Sequence, residues 1–430
     1  MKRFRLLPLL LAAALLLGCT PGVSAGGAVR IAAPAAEAVR GMKKDGSSTG
    51  ERETLAEGYR EALSAFCVRA AREGLGTAGQ ENALISPVSL YFAAAALAGA
   101  AEGETRAELL RALGMERALA ESETAKLRTN MNIDDAMGKL AVAGSLWLAD
   151  AFAEALDTEA AEALADAYGM EIWRADLADA AAAEALADWV QEHTNGLLGD
   201  AAAFELDPET ALTLLNAVYY KDEWINRFNA EKTEAAVFHN AGGSETTCDF
   251  LNATYGVHGF SRYENGALGC TISSLQLKHG AMTFILPDAG CTPEDILADE
   301  AALAAIASGN CESGVGEVVW KIPKFDYAAD TDLAPALRAM GVTAAFDPEL
   351  ADFTALLSAE VELPLWVGGV RQQARISVNE DGVEAAGYTQ INFAGSPMPD
   401  GRADMILDRP FLYYISAEGG MLFAGIVNRM

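Results

Sequence analysis

The residues with the most to say are in a connection and do not form a cluster of acids, bases or metal ligands. Residues 381–405 read DGVEAAGYTQINFAGSPMPDGRADM and lie between two apolar, strand-like runs. Such a length exceeds the ~12–15 residues usual for a loop in a compact domain, so the segment is either functional or disordered. Read with period two, Val383, Ala385, Gly387 and Thr389 share one face, and Glu384, Ala386, Tyr388 and Gln390 share the other. The first face is small and uncharged and could slide into the middle of a sheet without burying a charge. The alternative is a plain surface hairpin. Enzyme chemistry finds little support elsewhere: His193, His239, His258 and His279 fall in no H-E-x-x-H pattern, and neither G-x-S-x-G nor a P-loop occurs. The GVGEVV run lacks the last glycine of a dinucleotide fingerprint. Neither a cofactor nor a metal is implied.

The elements that must position this loop are mixed in type. Helical spacing dominates early: Leu55, Tyr59, Leu63, Phe66 and Ala70 recur on one face of Thr54 to Arg72. Thr105-Arg106-Ala107-Glu108 has the form of a capping box opening a helix that Gly114 closes. PEDILADEAALAAIA reads as a further helical run. Strands bounded by turn residues follow at Ala143 to Leu148, Thr213 to Tyr220, Leu268 to Leu277, Met282 to Leu286, Val315 to Ile322 and Val361 to Val378. The class is α/β, a mixed α+β arrangement with several sheets.

Composition narrows the partners. The 430 residues are 51% hydrophobic, enough for a large core, and 31 basic against 61 acidic residues leave a net charge of −30. A surface that acidic repels phosphate backbones, so nucleic acid is not an expected partner. The chain opens MKRFR and continues LLPLLLAAALLLGC, a basic start followed by an apolar run shorter than the ~20 residues of a spanning helix. Leu16-Leu17-Gly18-Cys19 resembles a bacterial lipobox, which implies a signal peptide over 1–18, lipid on Cys19 and a membrane-anchored, exported protein. Residues 19–53, rich in Gly, Ala and Ser, read as a flexible tether to a folded part over 54–430. After Cys19 come Cys67, Cys248, Cys270, Cys291 and Cys311, an odd number without C-x-x-C spacing, so at least one thiol is free. A Cys291 to Cys311 bridge is left open.

Several dispersed blocks resemble the serpins, from about Thr54 to Met430. They are NALISPVSLYFAAAALAGAAEGETRAELLRALG, LNAVYYKDEWINRF, KIPKFDYAADTDLAPALRAMGVTAAFDPELADFTALL, VNEDGVEAAG, DRPFLYYI and LFAGIVNRM. Their order and spacing make the resemblance specific. It implies a serpin fold with a five-stranded central sheet A, sheets B and C, about nine helices and an exposed reactive loop. It further implies a suicide inhibitor of serine endopeptidases, with cysteine endopeptidases as a second target class, or else a non-inhibitory serpin that acts as a binding protein. A monomer is expected.

Carried over by position, Ser86, Ser89 and Asn216 match the polar cluster beneath the central strands. Gln372 stands where many members have histidine, which keeps a donor and an acceptor but removes a titratable group, so sheet opening is expected to be less sensitive to pH. Trp224 matches the tryptophan where insertion starts. The hinge is Glu380, Asp381, Gly382, Val383, Glu384, Ala385, Ala386 and Gly387, small where it must be. Tyr388 departs from the alanine usual in the family but falls on the outward face. The scissile bond is expected within Phe393, Ala394, Gly395, Ser396, Pro397 and Met398. Bonds before Pro397 and Pro399 are poor substrates because proline constrains the chain and lacks an N–H. The remaining bonds, from Phe393-Ala394 to Gly395-Ser396, suit elastase-, subtilisin- or chymotrypsin-like proteases, with papain-like enzymes also open. Arg402 is the only basic residue nearby, which disfavours trypsin-like targets.

Overall fold

A computed structural model describes residues 24–25, 27–35, 39–42, 48–198, 211–358, 364–383 and 401–430. The expected signal segment, Cys19 and the loop from Glu384 to Asp400 lie outside the described residues. Nine α-helices occur among those described: α1 (Glu57–Leu75), α2 (Pro87–Ala100), α3 (Gly103–Leu113), α4 (Arg117–Asn130), α5 (Thr158–Tyr168), α6 (Ala180–His193), α7 (Pro293–Ala298), α8 (Glu300–Ser308) and α9 (Ala334–Ala339). α2 is the central one. Ser86 caps it, Pro87 opens it, and every residue except Gly99 is buried, so it has no wet face.

The first sheet contains β1 (Ser24–Ala25), β2 (Ala28–Ala32), β6 (Ile133–Asp134), β7 (Gly138–Ala149), β8 (Met170–Ala175), β9 (Leu212–Glu223), β15 (Phe325–Asp332), β16 (Val367–Val378) and β17 (Gly382–Val383). Its order is β1-β2-β8-β7-β9-β16-β15, with β6 on β7 and β17 on β9. β9 is covered on both faces, which explains its near-continuous apolar run. Leu212, Leu214, Val218 and Tyr220 belong to the core around α2, while Leu215 and Ala217 pack with Trp147, Trp173 and the buried side of α6. A small hairpin, β3 (Gly41–Met42) with β4 (Ser48–Thr49), stands apart.

The second sheet runs β18-β14-β11-β12-β13-β19-β20-β5, with β10 on β11. Its members are β5 (Ala83–Ile85), β10 (Glu234–His239), β11 (Glu245–Asn265), β12 (Leu268–Gln276), β13 (Gly280–Pro287), β14 (Glu312–Pro323), β18 (Gly401–Ile406), β19 (Phe411–Ala417) and β20 (Gly420–Val427). The two further sheets implied by the resemblance run together here, because β11 pairs with β10, β12 and β14 and shifts register between Tyr255 and His258.

Three local expectations need correction. Thr105 does not cap α3, which starts at Gly103. Its buried hydroxyl donates to Leu350 O at 3.4 Å and accepts from Asp352 N at 3.0 Å, so it ties the helix to a distant turn. Gly114 does close α3, with φ +71°. The run from Pro293 is two helices, since Asp299 ends α7 and its carboxylate caps α8 through Ala302 N at 2.9 Å. Part of the stretch expected to be a tether is structured: β2 adds to the sheet edge on β8, with Ala28 buried beside α6.

Candidate functional site

The site is the seam between β9 and β16. These strands run parallel and pair directly from Val367↔Leu212 to Gln373↔Ala217. Above Ala217 they separate. At the upper end the chain leaving β16 turns back, and β17 lies antiparallel on β9 with Gly382↔Glu223 and Val383↔Asp222. Strand β7 is also antiparallel to β9 along its whole length.

The lower seam is held by the polar cluster that the sequence pointed to. Gln372 grips the backbone of Ser86 at two points: its Oε1 accepts from Ser86 N at 2.6 Å and its Nε2 donates to Ser86 O at 3.0 Å. Ser86 Oγ in turn accepts from Ser89 N at 3.4 Å at the start of α2. Asn216 pairs with Gln372 on one side and Gly144 on the other. Asn216 Oδ1 and Ser89 Oγ are buried without a hydrogen-bond partner. Each such group costs about 1–3 kcal/mol relative to a satisfied one, so the closed seam holds unused hydrogen-bonding capacity.

At the upper end the hinge is nailed down by a denser set of contacts. Trp224 N donates to Asp381 O at 3.1 Å, its indole Nε1 to Asn379 O at 3.0 Å, and Phe228 N to Glu380 O at 3.0 Å. Arg227 bridges Asp381 at 3.2 Å and Glu223 at 2.8 Å. The Glu380 carboxylate meets Lys324 Nζ at 3.0 Å and accepts from Thr233 Oγ1 at 2.8 Å. Burial raises the pKa of that carboxyl, but the bonds from Lys324 and Thr233 outweigh it and the net shift is downward. Asn379 Oδ1 accepts from Asp381 N and Gly382 N and so closes the turn.

Gly382 is the residue that crosses β9. A Cβ there would lie 2.8 Å from Glu223 Cα and closer still to the Asp222 carbonyl oxygen. Val383 follows, 4% exposed, on the core side of the sheet. The structure thus assembles Ser86, Ser89, Asn216 and Gln372 at one level, and Trp224, Glu380, Asp381, Gly382 and Val383 at the other. Glu384, Ala385, Ala386 and Gly387, and the bond region from Phe393 to Met398, lie outside the described residues.

A family model described as serpin (serine protease inhibitor) matches residues 61–430. The chain belongs to the serpin family. Glia-derived nexin of Mus musculus is 30% identical over 371 residues, covering 81% of this chain and 88% of that protein. The native state of tengpin, a thermophilic serpin, superposes with a TM-score of 0.75 at 22% identity, covering 89% of this chain and 96% of its own. Native protease nexin-1 with heparin gives 0.72 at 23% identity, covering 86% of this chain and 99% of its own. The fold is the serpin fold, and most serpins are protease inhibitors.

Sequence reasoning missed Asn379, Arg227, Thr233 and Lys324 as hinge anchors. It also missed Asp222, a buried carboxylate opposite Val383. The signal for Asp222 was present in LNAVYYKDEWI, where two acids follow Lys221 at the end of a largely apolar strand. The five described cysteines are free thiols, Cys291 and Cys311 among them, and burial pushes Cys67 and Cys270 up to about 12.

Proposed function

We propose that this serpin is a suicide inhibitor of extracellular serine endopeptidases of elastase-, subtilisin- or chymotrypsin-like preference, with papain-like cysteine proteases as a second class. The observation that carries the reading is the seam. β9 and β16 are parallel neighbours, and the hinge already lies antiparallel on the upper end of β9. A strand continuing downward from Val383 would be antiparallel to both, exchanging one slanted parallel ladder for two antiparallel ones.

The register supports the residue choice. With Val383 opposite Asp222, each step of two sets Ala385 against Tyr220, Gly387 against Val218 and Thr389 against Asn216. The inserted face is then small and uncharged from Val383 to Thr389, and the larger Ile391 and Phe393 follow it at the lower end. Thr389 would bring a hydroxyl to the level where Asn216 Oδ1 has no partner. Continued to Leu212, the end of the β9–β16 ladder, the register reaches Phe393, so the segment that fits the seam ends where the expected scissile region begins.

In this mechanism the target's nucleophile attacks the loop carbonyl and forms an acyl-enzyme. The freed hinge inserts before water deacylates the ester and carries the protease along the sheet. Distortion of the protease removes its oxyanion donors, each worth about 10²–10³ in rate. The energy comes from strain held in the uninserted state, a kinetic trap. Export and lipid attachment at Cys19 form part of this proposal and set its targets outside the cytoplasm.

The test is incubation of 20–430 with elastase, subtilisin, chymotrypsin and papain, followed by denaturing gels and mass analysis of the released C-terminal peptide. An SDS-stable adduct is expected, with the peptide starting between Ala394 and Ser396. Clean cleavage without adduct by every protease would overturn inhibition and favour the non-inhibitory reading.

A further inference from the structure

One histidine that the mechanism above does not use bridges two buried carboxylates beside the hinge. His279, in the turn between β12 and β13, has Nδ1 3.0 Å from Asp222 Oδ1 and Nε2 3.0 Å from Asp135 Oδ2. The two aspartate side chains are 0% and 3% exposed. Asp222 is saturated: it also accepts from His279 N and Tyr220 OH, each at 2.8 Å, and from Glu223 N at 2.9 Å. Asp135 is set by Met137 N and Gly138 N. The packing is close, since a Cβ on Gly138 would lie 2.9 Å from His279 Nδ1, and one on Gly280 would lie 2.9 Å from Tyr220 Oη.

The bridge joins the β6–β7 turn, the end of β9 and a turn of the second sheet. That end of β9 is also where Lys278 N donates to Glu223 O and Ile225 N to Gln276 O. It is the pivot of the seam. Full insertion must move the lower half of β9 away from β16 by about one strand spacing, ~4.8 Å. The upper end already has the hinge beside it and must hold still. We propose that His279 is a positioning residue whose bridge from Asp135 to Asp222 holds the upper end of β9 at the separation that admits the hinge, so that insertion outruns deacylation. This rests on the inhibitory reading above.

Only the imidazolium donates from both ring nitrogens, whereas a neutral ring would turn a lone pair toward one buried carboxylate. Burial alone would lower the pKa of His279, but the bonds and charges of Asp222 and Asp135 outweigh it and raise it to about 9 from 6.5. A raised histidine contributes fully below its ordinary 6.5, and the contribution is lost as pH rises through about 9. Among the described residues, the charged or titratable groups near the ring include Tyr220 and Glu223 on β9, Lys278 in its own turn, the Asp134–Lys139 pair at the β6–β7 turn, Glu418 in the β19–β20 turn, and Arg52 and Arg40, which both pair with Glu418. Lys278, Arg52 and Glu418 border the same cavity of about 720 Å³ that His279 lines. Tyr220 stays neutral throughout, because burial and Asp222 lift it well above its ordinary range.

The experiment measures the ratio of cleaved inhibitor to covalent adduct, which does not depend on how fast the loop is attacked, with subtilisin from pH 7.5 to 10. In wild type the ratio is expected to rise severalfold with a one-proton transition near pH 9. His279→Gln should show a raised, flat ratio, and Asp135→Asn should move the transition to lower pH because one of the two charges holding the proton is gone. A flat wild-type profile, or a His279→Gln profile that follows wild type, would overturn the proposal. If no adduct forms at any pH, the inhibitory reading has failed. Amide exchange over 218–223, corrected for intrinsic rates, then decides the bridge itself. Protection lost above pH 9 in wild type, and absent throughout in His279→Gln, would retain it, and equal protection in both would remove it.

Discussion

The lower and upper ends of the same seam are held by different physics. Below, Gln372 grips Ser86 through a neutral amide, and the closed strands meet backbone to backbone. Above, the hinge is fixed by Glu380 with Lys324, Asp381 with Arg227, and Asp222 with His279. The lower lock is therefore expected to ignore pH and salt, and the upper one to respond to both. An inserting strand meets the charged end first, and its own small face carries no charge to disturb it.

The largest way to break this contrast is to put a charge on the hinge. Val383→Arg would bury a guanidinium beside Asp222, whose carboxylate is already filled by Tyr220, Glu223 and His279, at a cost of several kcal/mol. Since each ~1.4 kcal/mol is a factor of ten, the adduct should fall at least tenfold on denaturing gels while cleavage persists. Undiminished adduct would contradict the inward placement of Val383. Next comes Gln372→Ala, which leaves Ser86 N–H without a partner while Ser86 O keeps the bond from Leu90 N, and should cost about 1–3 kcal/mol in urea unfolding, equally at pH 5 and pH 8. Gln372→His should instead make the lower lock depend on pH through the histidine range, turning the two ends alike.

Smaller is Glu380→Gln. The pair with Lys324 is part-exposed, so about 1 kcal/mol is expected after screening. Because the Glu380 pKa is depressed, the wild-type advantage should be present above its ordinary 4.5 and vanish as pH falls through the lowered folded value. An advantage that persists at acid pH would show that the charge is not what holds Glu380. The smallest effect is that of salt. Going from 0.1 to 1 M shortens the screening length from ~10 to ~3 Å, which should shrink the Glu380→Gln difference by a few tenths of a kcal/mol and leave Gln372→Ala untouched.

The sequence made the lower lock legible because its residues sit in recognisable blocks: Ser86 before a proline-opened apolar helix, Asn216 inside a strand, Gln372 in alternation. Trp224 and the inward Val383 were legible for the same reason. The upper lock was not. Asp135 lies 144 residues from His279, and nothing local announces that one ring will bridge it to Asp222. The strand β11 was also missed, since ETTCDFLNATYGVHGFSRYEN has no sustained alternation and is held by β10, β12 and β14 along its edges. Thr105 had the spacing of a cap, but its hydroxyl is used by Leu350 and Asp352 across the fold.

The central claim is that the loop, once cut, becomes a strand between β9 and β16 in the register set by Val383 and Asp222. Hydrogen exchange on the protease-cleaved protein tests it most directly. The account predicts that amides of 384–393 become protected and that Asn216 and Gln372 no longer pair with each other. Amides of 384–393 that exchange as fast after cleavage as before would contradict it.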